Sequence, residues 1–194
     1  NTFEKLMKAI SKSLKKNDPN HLNLGIRYGY IEQLDDELLR ISKESFDALS
    51  FNCYALSPDH EKMNHALEIS GLPMIIGEYH FGTVDRGLAQ SLWQVNSQKE
   101  RGDAFRYYTE NAFAHRGLIG TGWFRWIDQN INGRTDGENY NCGFIDVTDR
   151  PYPYMVDAAI KTAKSLYEIH SGTKTPFHQA PNAVGHSPIP DLWE

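Results

Sequence analysis

The sequence predicts an α/β chain built on a parallel sheet. Short strand-like runs alternate with helical patterns throughout, the order that βα units produce. Two of the strand runs carry apolar residues on one face only, and two of the connections leaving strand C-termini are long. At 194 residues, 40% of them apolar, the chain is large enough to bury a real core.

The elements follow in order. Thr2–Lys15 reads as an amphipathic helix, stopped by Asp18-Pro19-Asn20. Leu22–Arg27 is the first strand, with Leu22, Leu24 and Ile26 alternating against Asn23, Gly25 and Arg27. Asp36–Phe46 is helical. Ala48–Tyr54 is the second strand, with Leu49, Phe51 and Cys53 on one face and Ser50, Asn52 and Tyr54 on the other. The helical pattern Asp59–Ser70 ends at Gly71-Leu72-Pro73, ahead of a third strand over Met74–Glu78. Glu100–His115 is helical, Leu118–Trp126 is the fourth strand, and Tyr154–His170 is the last helix. Past Gly172 the composition turns to Pro, His, Thr, Ser and Ala. Residues 171–194 therefore read as an extended or disordered tail, its end pinned by Leu192 and Trp193.

An open sheet covered by helices on both faces gives near-continuous apolar runs. Here one face is apolar and the other small and polar, which suits a barrel wall whose interior becomes polar towards an active-site mouth. A complete eight-stranded α/β barrel takes about 250 residues. The connections from Glu78 to about Gln98 and from Trp126 to about Pro153 leave the strand ends where barrel enzymes carry their chemistry.

Several classes are excluded. A formal net charge of -5 with scattered Lys and Arg gives no nucleic-acid footprint. No run of about 18 apolar residues exists to span a membrane. Cys53 and Cys142 read as two free thiols, not a disulfide framework. The histidines form no metal motif, and the loop Asn132–Asn141 lacks the ordered spacing of a calcium-binding EF-hand, so no metal or cofactor is expected. The first residues are not a signal peptide, and the missing initiator Met points to a processed chain or an excised fragment.

The chemistry centres on Pro73-Met74-Ile75-Ile76-Gly77-Glu78-Tyr79-His80-Phe81-Gly82. A carboxylate at the end of an apolar strand must be stabilised by charge or hydrogen bonds, unless it simply faces water. Retaining glycosidases use such a group as nucleophile, with a second carboxyl about 5–5.5 Å away as acid and then base. Trp123, Trp126, Asp128 and Gln129 close the last strand, and Asp136 and Glu138 sit in the polar, Gly-punctuated loop beyond it. Indole faces pack on the apolar faces of sugar rings, while Arg, Asn, Asp and Glu hydrogen-bond their hydroxyls.

Gly77-Glu78-Tyr79-His80-Phe81-Gly82 with Asp85-Arg86-Gly87 resembles the seventh-strand motif of the family 50 glycoside hydrolases, the β-agarases. Gly122-Trp123-Phe124-Arg125-Trp126-Ile127-Asp128-Gln129, with Gly133-Arg134 and Asp136-Gly137-Glu138-Asn139, is similar to its last strand and loop. The stretches Asp18–Arg27 and Ser50–Tyr54 resemble its fifth and sixth strands, and the set runs in order from Asp18 to His170. The resemblance implies the C-terminal half of a (β/α)8 TIM barrel over residues 1–170, strands five to eight with their helices. It implies retaining hydrolysis of β-linked galactosides, such as agarose, by a clan A enzyme with Glu78 as nucleophile. It also implies Tyr54 beside that carboxylate, holding and ionising it, and Trp123 as a platform in the sugar site; Trp126 is a second indole expected to bind substrate. Arg27, Asn52, His80, Asp128, Asp136 and Glu138 are its further substrate contacts. For Asp85 and Arg86 a structural loop pair is weighed equally with a sugar contact.

One departure accompanies the match. The family's acid/base is the glutamate of an Asn-Glu at the end of the fourth strand, and this sequence holds no such segment; it starts in what matches the fourth helix. The expected partners are therefore a galactan chain and either the N-terminal half of the barrel or a second copy, whose strands would cover open sheet edges. A polymeric galactan places the work outside the cytoplasm, in the extracellular space or periplasm. The rival expectation is a non-catalytic carbohydrate-binding or assembly fragment that keeps Trp123 and Trp126 without needing a second carboxylate.

Overall fold

The structure, a computed structural model, describes residues 1–186. The proposed pinning by Leu192 and Trp193 lies outside the described residues. In chain order the elements are α1 (Thr2–Asn17), β1 (Arg27–Tyr28), a 3-10 turn (Ile31–Gln33), α2 (Asp36–Ser45), β2 (Leu49–Asn52), α3 (His60–Ser70) and β3 (Met74–Tyr79). Then come β4 (Trp93–Gln94), α4 (Gln98–Phe113), β5 (Leu118–Trp123), α5 (Pro153–His170) and β6 (Val184–Gly185).

The chain divides into two compact units. The first comprises Asn1–Cys53, Asp59–Gly77 and Gly117–Gly122. Its sheet order is β1-β2-β3-β5, and β1 runs parallel to β2, Arg27 opposite Ser50 and Tyr28 opposite Phe51. Leu49 donates its N–H to the Pro73 carbonyl and Met74 donates to Gly117, so strand starts meet strand starts and the sheet is parallel. Leu49, Phe51, Met74, Ile76 and Leu118 are fully buried along it. A second cluster joins Met7, Ile41 and Phe46 to Phe3, Ile26 and Leu72.

Local chemistry sets the helix ends. The Asp35 carboxylate caps α2 by accepting from Leu38 N–H at 2.8 Å, and Asp59 caps α3 by accepting from Glu61 and Lys62 at 2.9 and 3.2 Å. Four orphan N–H groups at each helix start make such acceptors worth about 1 kcal/mol apiece. All five helical patterns form helices, with ends displaced by no more than two residues.

The first strand differs from expectation. Residues 22–26 are not in the sheet, and only Arg27–Tyr28 pair with β2. The Asn23 side chain accepts from Gly25 N–H at 3.1 Å, and Gly25 sits at φ +72, a turn that curls the chain away from the extended path. Leu22 and Leu24 are accordingly exposed instead of lining a sheet face. The fourth strand also stops at Trp123, three residues short of the expected Trp126.

The second unit comprises Tyr54–Pro58, Glu78–Arg116 and, of the described residues that follow, 123–186. Its frame is the pair α4 and α5. The buried stripe of α4 is Arg101, Ala104, Phe105, Tyr108 and Ala112, and that of α5 is Met155, Ala158, Thr162, Ser165 and Ile169. After Gly172 the chain returns along α4: Phe177 N–H donates to the buried Glu110 at 2.8 Å, and the Arg106 guanidinium lies 4.4 Å from the Phe177 ring centroid. Val184–Gly185 then pairs antiparallel with β4.

Two helices keep a spare apolar stripe. On α1, Leu6, Ile10 and Leu14 are exposed at four-residue spacing; on α5, Val156, Ile160 and Tyr167 share an exposed face. Among the described residues, α2, α3 and α4 have no exposed large apolar side chain.

Candidate functional site

The second unit begins each of its segments at the C-terminal end of a strand: Tyr54 after β2, Glu78 within β3 and Trp123 at the end of β5. Phe124 N–H donates to the Tyr79 carbonyl at 3.0 Å, so Glu78 and Trp123 each stand one residue before a bond joining neighbouring strands. The Tyr54 hydroxyl donates to Glu78 Oε2 at 2.8 Å. Burial and the adjacent Glu78 charge raise the Tyr54 pKa well above the usual phenol value, so this hydroxyl keeps its proton and acts as a donor.

His80 lies behind the pair. It is 1% exposed, and its ring meets Tyr54 edge-on at 4.8 Å between centroids. Its Nδ1 lies 3.0 Å from the Phe124 carbonyl, and its Nε2 accepts from Leu92 N–H at 3.1 Å, so Nδ1 carries the proton. Burial pushes its pKa down to about 3. Both ring nitrogens are thus occupied inside the protein, which makes His80 the support of Tyr54 and of the turn after β5.

Trp123 sits in an aromatic nest, edge-on to Tyr79 at 5.2 Å, Phe105 at 5.6 Å and Phe144 at 5.7 Å. Its Nε1 donates to the Cys142 carbonyl at 2.6 Å. Those contacts fix the indole plane while leaving the ring half-buried. Trp126 is 65% exposed and stacks on Phe144 at 5.8 Å.

The remaining candidates separate. Asp128 is buried and its oxygens face inward, accepting from Gly143 N–H at 2.6 Å, Asn141 Nδ2 at 2.8 Å and Tyr152 hydroxyl at 2.5 Å. It is built as a loop anchor. A side chain at Gly143 would strike the Asp128 backbone, so only glycine permits this closeness. Asp136 and Glu138 gather around Arg134 in the exposed loop; Glu138 also accepts from Gln129 at 2.7 Å. Arg134 holds the Asp136 carboxyl below the usual range. Asp85 accepts from Gln98 at 2.7 Å and lies 3.9 Å from Arg86. Arg27 and Asn52 belong to the first unit, where both crowd Gly77: a Cβ there would overlap the Arg27 side chain and come within 3.3 Å of Asn52 Oδ1.

Cys53 and Cys142 are free and buried, and burial pushes the Cys142 thiol up to about 12, so it stays neutral. No group of His, Cys, Asp and Glu among the described residues could hold a metal ion, and no described helix is long and apolar enough to cross a membrane.

Arg101 was not singled out in the sequence, although it is fully buried and braces the loop after β5. A signal was present: it falls three, four and seven residues before Ala104, Phe105 and Tyr108, on the apolar stripe of α4.

With a parallel α/β fold and a carboxylate, a phenol and an indole at adjoining strand ends, the chain is family 50 β-agarase-like in sequence and fold. It is 37% identical over 166 residues to Beta-agarase A of Vibrio sp. (strain JT0107), and 35% identical over 170 residues to Beta-agarase B of the same organism. These matches take in 82% and 84% of this chain but only 16% and 17% of those relatives. The crystal structure of the agarase AgWH50C matches 86% of this chain and 26% of its own, with a TM-score of 0.81 at 36% identity. No protein-family profile matches the chain.

Proposed function

We propose that this chain supplies the nucleophile of a retaining β-galactan hydrolase of the agarase type, and that Glu78 is that nucleophile. The observation that carries the reading is the 2.8 Å bond from Tyr54 to Glu78 at the ends of neighbouring strands. In the mechanism, a Glu78 oxygen attacks the anomeric carbon as the bond to the leaving sugar oxygen breaks. A second carboxylic acid protonates that oxygen and then takes a proton from the water that hydrolyses the glycosyl ester. Tyr54 orients the carboxylate for attack, and as a neutral donor it favours the departing carboxylate in the second step. Trp123 carries the apolar face of a sugar ring.

The second acid comes, on this reading, from strands outside this chain that complete a (β/α)8 barrel of which residues 1–170 form the C-terminal half. The small share of each relative that the chain spans supports this, as do the outer strands β1 and β5 and the spare apolar stripes on α1 and α5. A galactan polymer is met outside the cytoplasm, so the activity is assigned to the extracellular space or periplasm.

The exposed, Phe144-stacked Trp126 favours a second reading, carbohydrate binding without turnover. One experiment separates the two. Proton NMR of the first products from an agaro-oligosaccharide, taken before mutarotation, is expected to show the β-anomer; an α-anomer contradicts a Glu78 ester, and binding without product supports the rival.

A further inference from the structure

We propose that Arg101 is a positioning residue that fixes the Trp123 indole through the segment Asn141–Gly143; the inference rests on the reading of Trp123 as a sugar platform. Arg101 stands in the first turns of α4 with no exposed surface. Its guanidinium donates from Nη1 to the Asn141 carbonyl at 3.2 Å and from Nη2 to the Gly143 carbonyl. The carbonyl between them, that of Cys142, accepts from Trp123 Nε1 at 2.6 Å. Three consecutive carbonyls are thus committed, two to one arginine and the middle one to the indole.

The same segment is gripped from its other side. Asp128 accepts from Gly143 N–H and Asn141 Nδ2, and also from the Tyr152 hydroxyl, while the Tyr152 ring lies 4.5 Å from the Arg101 guanidinium carbon. Desolvating a guanidinium and a carboxylate is costly, and an apolar pair of similar volume would hold a merely structural loop as well. Here both charges are directed onto the backbone beside one carbonyl. A guanidinium has the planar fork needed to reach two carbonyls at once; a lysine ammonium is a point charge on a flexible stem. The arrangement therefore sets the direction of the Cys142 carbonyl, and with it the indole plane offered to a sugar.

The test uses the protein expressed from its full reading frame. KM and kcat on an agaro-oligosaccharide are measured for wild type, Arg101→Lys, Trp123→Ala and the double variant, and the Trp123 indole N–H resonance is recorded without substrate. Arg101→Lys is expected to move that resonance upfield and raise KM about tenfold, with kcat changed less; added to Trp123→Ala, it should change KM by less than about twofold. An unmoved resonance, or an equal KM effect in both backgrounds, overturns the proposal. Should Arg101→Lys not fold, Asp128→Asn loosens the segment from its other side and is held to the same outcomes. If Trp123→Ala leaves KM unchanged, the platform reading fails, and the resonance alone then decides whether Arg101 sets the indole.

Discussion

At the scale of single residues, the arrangement turns on which polar atoms remain available and which are already bonded. Glu78 has a phenol donor that burial keeps protonated, so Tyr54→Phe removes one hydrogen bond and little volume. It is expected to lower kcat about 10–100-fold with the melting temperature shifted by no more than a few degrees, measured by steady-state kinetics and calorimetry. An unchanged kcat would remove Tyr54 from the site. His80 offers a pH test. Its folded pKa, about 3, lies below the ordinary 6.5, so the unfolded chain binds the extra proton first. The contribution of neutral His80 is complete above about pH 6.5 and is lost as pH falls towards 3, up to about 5 kcal/mol in all. Chemical denaturation of His80→Gln between pH 4 and 7 should show a shallower acid slope than wild type; an equal slope contradicts the assignment. The place of Glu78 near the end of a strand was legible in the sequence because an apolar run leads into it. The occupied nitrogens of His80 and oxygens of Asp128 were not, since their partners Leu92, Phe124, Asn141, Gly143 and Tyr152 come together only through folding.

Elements were legible wherever period and punctuation agreed. The helices could be read from apolar spacing and the stops at Asp18-Pro19-Asn20 and Gly71-Leu72-Pro73, and Leu49 and Phe51 do share a buried face of β2, with Cys53 buried just past its end. Leu22–Ile26 misled because alternation was counted while the Asn23–Gly25 turn was not: a side-chain bond and a left-handed glycine outweigh a short apolar pattern. The start of α4 carries its own prediction. Ser97 Oγ accepts from Glu100 N–H at 3.2 Å, and Glu100 Oε2 accepts in return from Asn96 N–H at 3.0 Å. Ser97→Ala should cost about 1 kcal/mol by denaturant unfolding. A loss within the error of the measurement would mean that α4 is held by its buried face alone.

For the whole molecule, the division between covered and uncovered apolar surface is informative. Leu6, Ile10 and Leu14 on α1, and Val156, Ile160 and Tyr167 on α5, are exposed, whereas α2, α3 and α4 are covered. A stripe that stays in water tolerates a charge within about 0.5 kcal/mol, while one buried against further helices does not. In the protein expressed from its full reading frame, Ile10→Lys and Ile160→Lys should each destabilise by about 1–3 kcal/mol in denaturant titrations. Neutral effects at both sites would count against a completed barrel.

Replacing Glu78 decides whether this carboxylate is the group that attacks the sugar. The rate of chain cleavage in an agaro-oligosaccharide, read by mass spectrometry of the fragments, is compared for wild type and Glu78→Ala in the protein expressed from its full reading frame, with and without added azide. Glu78→Ala is expected to lose about 10³-fold or more in kcat with the fold intact, and to recover in part with azide as a glycosyl azide, the small anion standing where the carboxylate was. Near-wild-type hydrolysis by Glu78→Ala would contradict it.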